Sequence, residues 1–177
     1  MRGAVGRRAL GLSALLALAA LPLTATPAQA AAPGLAITAP TSVSLGTVTV
    51  GSSSISASLG TVRVSTASAV LHLASWTATV STSGFTTGGG SAAELVPAGS
   101  VSYQSGPATA QAGLALNACA PGQLLAQPLS VPREAFSCAG LSLLSSTSLS
   151  WNPTLVVSLP PGLVTGAYLG TITHSVA

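Results

Sequence analysis

The sequence has no lysine and no aspartate, and charged residues make up only 4% of its 177 positions. Five arginines oppose two glutamates, for a formal charge of +3 and a pI near 9.5. Position changes the meaning of that charge. Arg2, Arg7 and Arg8 stand at the N-terminus, leaving Arg63 and Arg133 against Glu94 and Glu134, so the remainder is neutral. A nucleic-acid binder displaces counterions with clustered Lys and Arg, and no such cluster exists beyond the first residues. No nucleic-acid partner is expected.

The same poverty removes most catalytic mechanisms. A Ser-His-Asp triad needs an orienting carboxylate and, in its hydrolase form, a nucleophile elbow; there is neither an Asp nor a G-x-S-x-G run. Glycoside hydrolysis needs two carboxylates roughly 5 to 10 Å apart, and the only candidates, Glu94 and Glu134, sit in apparent loop sequence. A catalytic metal takes three protein ligands, whereas His72, His174 and the two glutamates show no ligand spacing. Gly88-Gly89-Gly90 runs into Ser91-Ala92 without a lysine, so it reads as a turn rather than a phosphate loop. No enzyme, metal or cofactor is expected.

One long apolar run exists, and it is at the start. Behind the three arginines, residues 9–23 are rich in leucine and alanine until Pro22 breaks them, and Ala28-Gln29-Ala30 supplies a small-x-small cleavage signal. Residues 1–30 therefore read as a secretory signal peptide cut after Ala30, with Ala31 or Ala32 as further cut sites. The alternative, an uncleaved anchor helix, has an apolar stretch short of the roughly 20 residues of a span. Arg7-Arg8 raises twin-arginine export, but the following Ala-Leu-Gly favours the general secretory route. With no later hydrophobic tail or sortase-type signal, residues 31–177 are expected outside the cell, secreted or on the wall, without a transmembrane anchor.

Cysteine is nearly absent too. Cys119 and Cys138 are the only two, and an oxidising compartment favours joining them in a structural disulfide over two free thiols. Two thiols cannot supply a four-ligand zinc site.

What is abundant is strand composition. Nineteen Gly and twelve Pro punctuate β-branched stretches that alternate with Ser and Thr. In residues 76–81 the even positions are apolar and the odd ones carry hydroxyls, the pattern of a half-buried strand. Leu71 and Leu73 have the opposite parity, so a bulge or turn near Ala74-Ser75 is expected. Residues 155–159 form another apolar run, closed by Pro160-Pro161-Gly162. Near the end, Tyr168, Ile172, His174 and Val176 share one face. Short strands with frequent turns predict one all-β domain, an antiparallel β-sandwich of immunoglobulin-like type. Residues 106–144, Ala- and Gln-containing with both cysteines, are expected to form one long disulfide-tied loop.

An echo runs through the chain. Ser42-Val43-Ser44-Leu45-Gly46-Thr47-Val48-Thr49-Val50 recurs as Ser56-Ala57-Ser58-Leu59-Gly60-Thr61-Val62-Arg63-Val64, and Leu169-Gly170-Thr171-Ile172-Thr173 is a weaker third copy. Two full copies are too few for a solenoid; each glycine instead marks a bulge or a close backbone approach.

The six aromatics, Trp76, Trp151, Tyr103, Tyr168, Phe85 and Phe136, are core residues or sugar-stacking platforms, with core the simpler reading for both tryptophans. His72 is expected to face solvent, and His174 to be half-buried and hydrogen-bonded.

The ordered set Leu59-Gly60-Thr61-Val62-Arg63-Val64, Ser75-Trp76-Thr77-Ala78-Thr79-Val80, Trp151-Asn152-Pro153-Thr154-Leu155 and the stretch from Gly166 to Val176 resembles the WxL-type surface proteins of Gram-positive bacteria, in their divergent actinobacterial secreted form. The resemblance implies a β-rich domain held non-covalently on the cell wall, with peptidoglycan as ligand and Trp76, Trp151, Tyr168 and His174 as candidate wall-binding residues. The Trp-x-Leu motifs themselves are not intact: Ala78 holds the third position of the motif that Trp76 begins, and His174 and Val176 replace the C-terminal Trp and Leu. The function expected is thus a non-catalytic envelope-associated binding or structural domain. The alternative is a self-assembling or adhesive surface subunit that binds other proteins.

Overall fold

The computed structural model describes residues 15–16, 34–49, 51–67, 72–73, 75–113, 115–142 and 146–177. The expected cleavage point at Ala30 lies outside the described residues, as do Leu71 and Ala74. In chain order the strands are β1 Leu15–Leu16, β2 Leu35–Thr38, β3 Val48–Thr49, β4 Ser54–Ser58, β5 Val62–Thr66, β6 His72–Leu73, β7 Trp76–Thr86 and β8 Leu95–Val96. They continue with β9 Val101–Gln104, β10 Ala108–Ala112, β11 Ala115–Pro121, β12 Gln127–Pro128, β13 Arg133–Ser142, β14 Thr147–Trp151, β15 Thr154–Ser158 and β16 Leu169–Val176. Among the described residues two 3₁₀ turns, Ala92–Glu94 and Ala98–Ser100, are the helical elements. All pairings are antiparallel: β1 on β3, β10-β14-β5-β2, β12-β9-β15-β4, and β11-β13-β7-β16 with β6 and β8 attached. The chain is therefore all-β, and its sheets close sandwich-like on one core.

Two of those sheets are halves of one bent sheet. β15 pairs Thr154 with Ser58 of β4, and β14 pairs Trp151 with Val62 of β5. Asn152 and Pro153 thus oppose three residues, Leu59, Gly60 and Thr61. On the other flank Thr154 pairs with Gln104 and Trp151 with Ala108, so the same two residues oppose Ser105, Gly106 and Pro107. An extra residue in each neighbour of a kinked central strand is a bulge, and bulges bend a sheet. Gly60 and Gly106 take the left-handed backbone this requires, at φ of 79° and 70°. Pro153 lies fully buried at the corner.

The echo follows the same local rule. The Ser44 hydroxyl accepts the Gly46 N–H at 3.3 Å and that of Ser58 accepts the Gly60 N–H at 3.2 Å. Both glycines have positive φ. A hydroxyl two residues ahead of a left-handed glycine closes a small turn. At the third copy, Gly170 adjoins a register shift in the β16–β7 ladder, and a side chain on it would strike the Gly84 carbonyl. Bulge and close approach, the two expected roles, both occur.

The alternation in residues 76–81 is realised in β7, which buries Trp76, Ala78 and Val80 against the opposite sheet. The core cluster draws Val62 and Val64 from β5, Val101 and Tyr103 from β9, Phe136 from β13, Leu149 and Trp151 from β14, and Leu155 and Val157 from β15.

The expected loop over 106–144 is corrected. It holds β10, β11, β12 and β13, and the β11–β13 hairpin pairs from Ala115↔Ser142 to Pro121↔Phe136. Two features hid these strands. A bulge between Glu134 and Phe136 turns the consecutive residues Ala135 and Phe136 both inward, which breaks the period of two. β10 is exposed along its whole length and needs no apolar face. Glu134, read as a loop residue, is in β13. The two cysteines do form a disulfide, Cys119 opposite Cys138 with Cα atoms 4.1 Å apart.

Candidate functional site

An apolar cleft opens between the two layers beside β16. One wall is a strap, residues 39–45, which leaves β2 and crosses the edge of the sandwich, placing Pro40, Val43 and Leu45 on the cleft. The floor is Leu59 and Val62 at the glycine corner, Leu155 of β15 and Phe85 of β7. The far wall is Tyr168 and the first half of β16 through His174. About 630 Å³ lies between these walls, part of it open to solvent. None of the lining residues is charged.

The cleft has one titratable imidazole in its lining, and the core behind it determines that ring's state. Trp151 Nε1–H donates to the Tyr103 hydroxyl at 3.0 Å. That oxygen lies 3.1 Å from His174 Nε2. Because the phenol already accepts the indole N–H, its own proton is free to go to Nε2. His174 then accepts at Nε2 and carries its proton on Nδ1. Burial lowers the His174 pKa from 6.5 to about 4 and pushes the Tyr103 phenol up. The ring is therefore neutral at physiological pH. Tyr103 and Trp151 are 0% exposed, and Phe136 packs on the indole with ring centroids 5.1 Å apart.

Tyr168 holds the loop that forms the cleft's outer rim. Its hydroxyl shares its one proton between the Ala93 and Val164 carbonyls, at 3.1 and 3.0 Å. Desolvation raises its pKa, with the nearby Glu94 charge acting in the same direction. Glu94 closes its own turn. The Ser91 hydroxyl and N–H donate to one carboxylate oxygen and the Thr87 hydroxyl to the other, which holds its pKa below the ordinary value. The triglycine makes room for this, since a side chain on Gly89 would strike the carboxylate. Glu94 is thus a turn-closing group.

The candidate residues separate. Trp151, Tyr168 and His174 converge: His174 and Tyr168 line the cleft, and Trp151 stands one hydrogen-bonded ring behind, 6.5 Å from the imidazole. Trp76 is elsewhere, buried beside the disulfide and paired with Cys138. Both tryptophan rings are covered, so in this conformation neither presents a face. Sequence reasoning missed Tyr103 as the link and the strap as a wall. The alternation in Val101-Ser102-Tyr103-Gln104 marked a buried tyrosine, but nothing local named its partners. The side chain of His72 is outside the described set.

Among the described residues no three His, Cys, Asp or Glu side chains gather, and no helix is long and apolar enough to cross a membrane. The class defined is an all-β, disulfide-linked domain with an uncharged cleft at one sheet edge. Comparison with protein-family models, curated proteins and solved structures finds no match to this chain.

Proposed function

We propose that the chain is an exported, non-catalytic binding domain of the cell envelope, with the cleft beside β16 as its recognition site. The observation that carries this reading is an apolar, uncharged cleft backed by a rigid aromatic relay. Such a wall offers shape and apolar contact, which suits holding a ligand. The disulfide agrees with an oxidising compartment, and no helix of the described residues would anchor the chain in a membrane. The resemblance to WxL-type proteins directs the search for a ligand to the cell wall and peptidoglycan. Co-sedimentation of the purified exported protein with isolated walls tests the reading. The protein is expected in the pellet with little dependence on salt, because the chain beyond its first residues is neutral. Protein that stays in the supernatant at every salt concentration and pH refutes wall attachment.

A second reading, self-assembly of a surface subunit, is favoured by β10. This edge strand, Ala-Thr-Ala-Gln-Ala, is exposed throughout and carries no charge against edge pairing. Light scattering over a concentration series decides it, since a persistent monomer removes this reading.

A further inference from the structure

The ladder between β7 and β16 determines which way each backbone group of β16 points. Thr77 and Ala177 exchange both backbone hydrogen bonds, at 2.8 and 3.1 Å. In an antiparallel ladder such pairs alternate with pairs that make no bond to each other. Counting up the register, Ser175↔Thr79 and Thr173↔Ser81 are bonded pairs, while Val176↔Ala78, His174↔Val80 and Ile172↔Thr82 are not. The N–H and C=O groups of Ile172, His174 and Val176 therefore point away from β7. β16 ends its sheet, so among the described residues no ladder pairs these groups, although β2 lies near the strand.

Across the cleft the strap is in the same condition. Among the described residues, no backbone group of residues 39–47 takes part in a backbone–backbone hydrogen bond. Two stretches of backbone outside any ladder thus border one apolar gap, and Ile172 and His174 line it.

We infer that the cleft is a strand-acceptor site for an extended, uncharged segment of a partner polypeptide, which pairs its backbone with Ile172, His174 and Val176. About five partner residues, roughly 17 Å of strand, cover that edge. Alternate apolar side chains of the segment enter between strap and sheet, in the manner of β-strand addition. The chemistry selects this occupant. An acyl chain satisfies the apolar walls but strips water from the outward N–H and C=O groups without replacing their hydrogen bonds. A charged segment would be buried among lining residues that include no counter-charge. A second copy approaching through its own β16 brings its own strap into the same gap; an isolated extended segment does not. The inference rests on the cleft being the binding site, and it is independent of whether the wall is the ligand.

Amide hydrogen exchange followed by NMR on the exported protein tests it. In the free protein the Ile172, His174 and Val176 amides are expected to exchange faster than those of Thr173 and Ser175. The probes are blocked, uncharged nonapeptides with Val, Leu or Ile at alternate positions. At saturation the three outward amides slow by about tenfold or more while Thr173 and Ser175 change little. Val43→Arg, a strap substitution outside both sheets, is expected to abolish the slowing and preserve the free-protein pattern. Equal protection of all five amides in the free protein overturns the inference, and so does the absence of slowing with every peptide. Protection that appears on raising protein concentration without peptide also overturns it, by assigning the edge to a second copy. Wall co-sedimentation run beside the titration separates the two proposals: a protein that takes the peptide but not the wall retains this site and loses that ligand.

Discussion

Lowering the pH from 7 to 5 leaves folded His174 largely neutral but protonates it in the unfolded chain. His174 titrates at about 4 when folded against an ordinary 6.5, because burial disfavours its charged form. A depressed histidine means the unfolded state binds the extra proton between those values, so stability falls as the pH is lowered through that window. The linkage relation gives a loss of about 2 kcal/mol on going from pH 7 to pH 5. For a domain of this size that is a fall of roughly 4 to 8 °C in melting temperature. The hydrogen bonding acts in the same direction. A proton on Nε2 would displace the Tyr103 hydroxyl proton, whose oxygen already accepts from Trp151. Few other groups interfere, since the chain has no Asp and Glu94 is held below its ordinary value. Urea unfolding at pH 7, 6 and 5 measures the effect, with His174→Gln as the reference that cannot titrate. The difference between the two proteins isolates His174 from His72. Wild-type stability that is flat over this range, or an equal loss in the Gln variant, refutes the argument.

Three further outcomes are expected. Gly84→Ala and Gly88→Ala impose an alanine at similar positive φ, 78° and 95°, but at Gly84 the new methyl meets the Val96 carbonyl while Gly88 has open space. Urea midpoints should therefore fall by an amount worth about 1 kcal/mol for Gly88 and clearly more for Gly84; equal losses would exclude the close approach. Replacing Cys119 and Cys138 together by serine frees a cross-strand link closing about twenty residues, and calorimetry should register a loss of roughly 3 kcal/mol. Tyr103→Phe strands both the Trp151 N–H and His174 Nε2 in the core, at a cost of about 1–3 kcal/mol. In a double-mutant cycle with Trp151→Phe the losses should be less than additive, whereas strict additivity would mean the relay is not coupled.

How far the chain could be read locally differs between its segments. β7 was legible because it has one wet face and one buried face, so Trp76, Ala78 and Val80 alternate with hydroxyl residues. Residues 155–159 were legible as an apolar run with a Pro-Pro-Gly stop, and β15 ends at Ser158. The hairpin of β11 and β13 was not legible. Its small residues carry weak β signals, and the bulge beside Phe136 erases the alternation. What holds it is pairing to β7 and a disulfide between residues 19 apart.

The candidate site divides in the same way. His174 and Trp151 were identifiable as members of apolar strands, but Tyr103, Trp151 and His174 are separated by 48 and 71 positions in the hydrogen bonds that join them. Periodicity reports which face a side chain takes and is silent about which strand lies opposite. The amino-acid sequence by itself determined an all-β chain with one disulfide, a neutral body, glycine-marked corners and a half-buried His174. Only the tertiary structure decided that Gly60 and Gly106 flank one bend, that the aromatic relay ends at a cleft, and that β16 is an edge. Those facts depend on long-range register and sheet order, which arise when several strands compete for the same partners in one core.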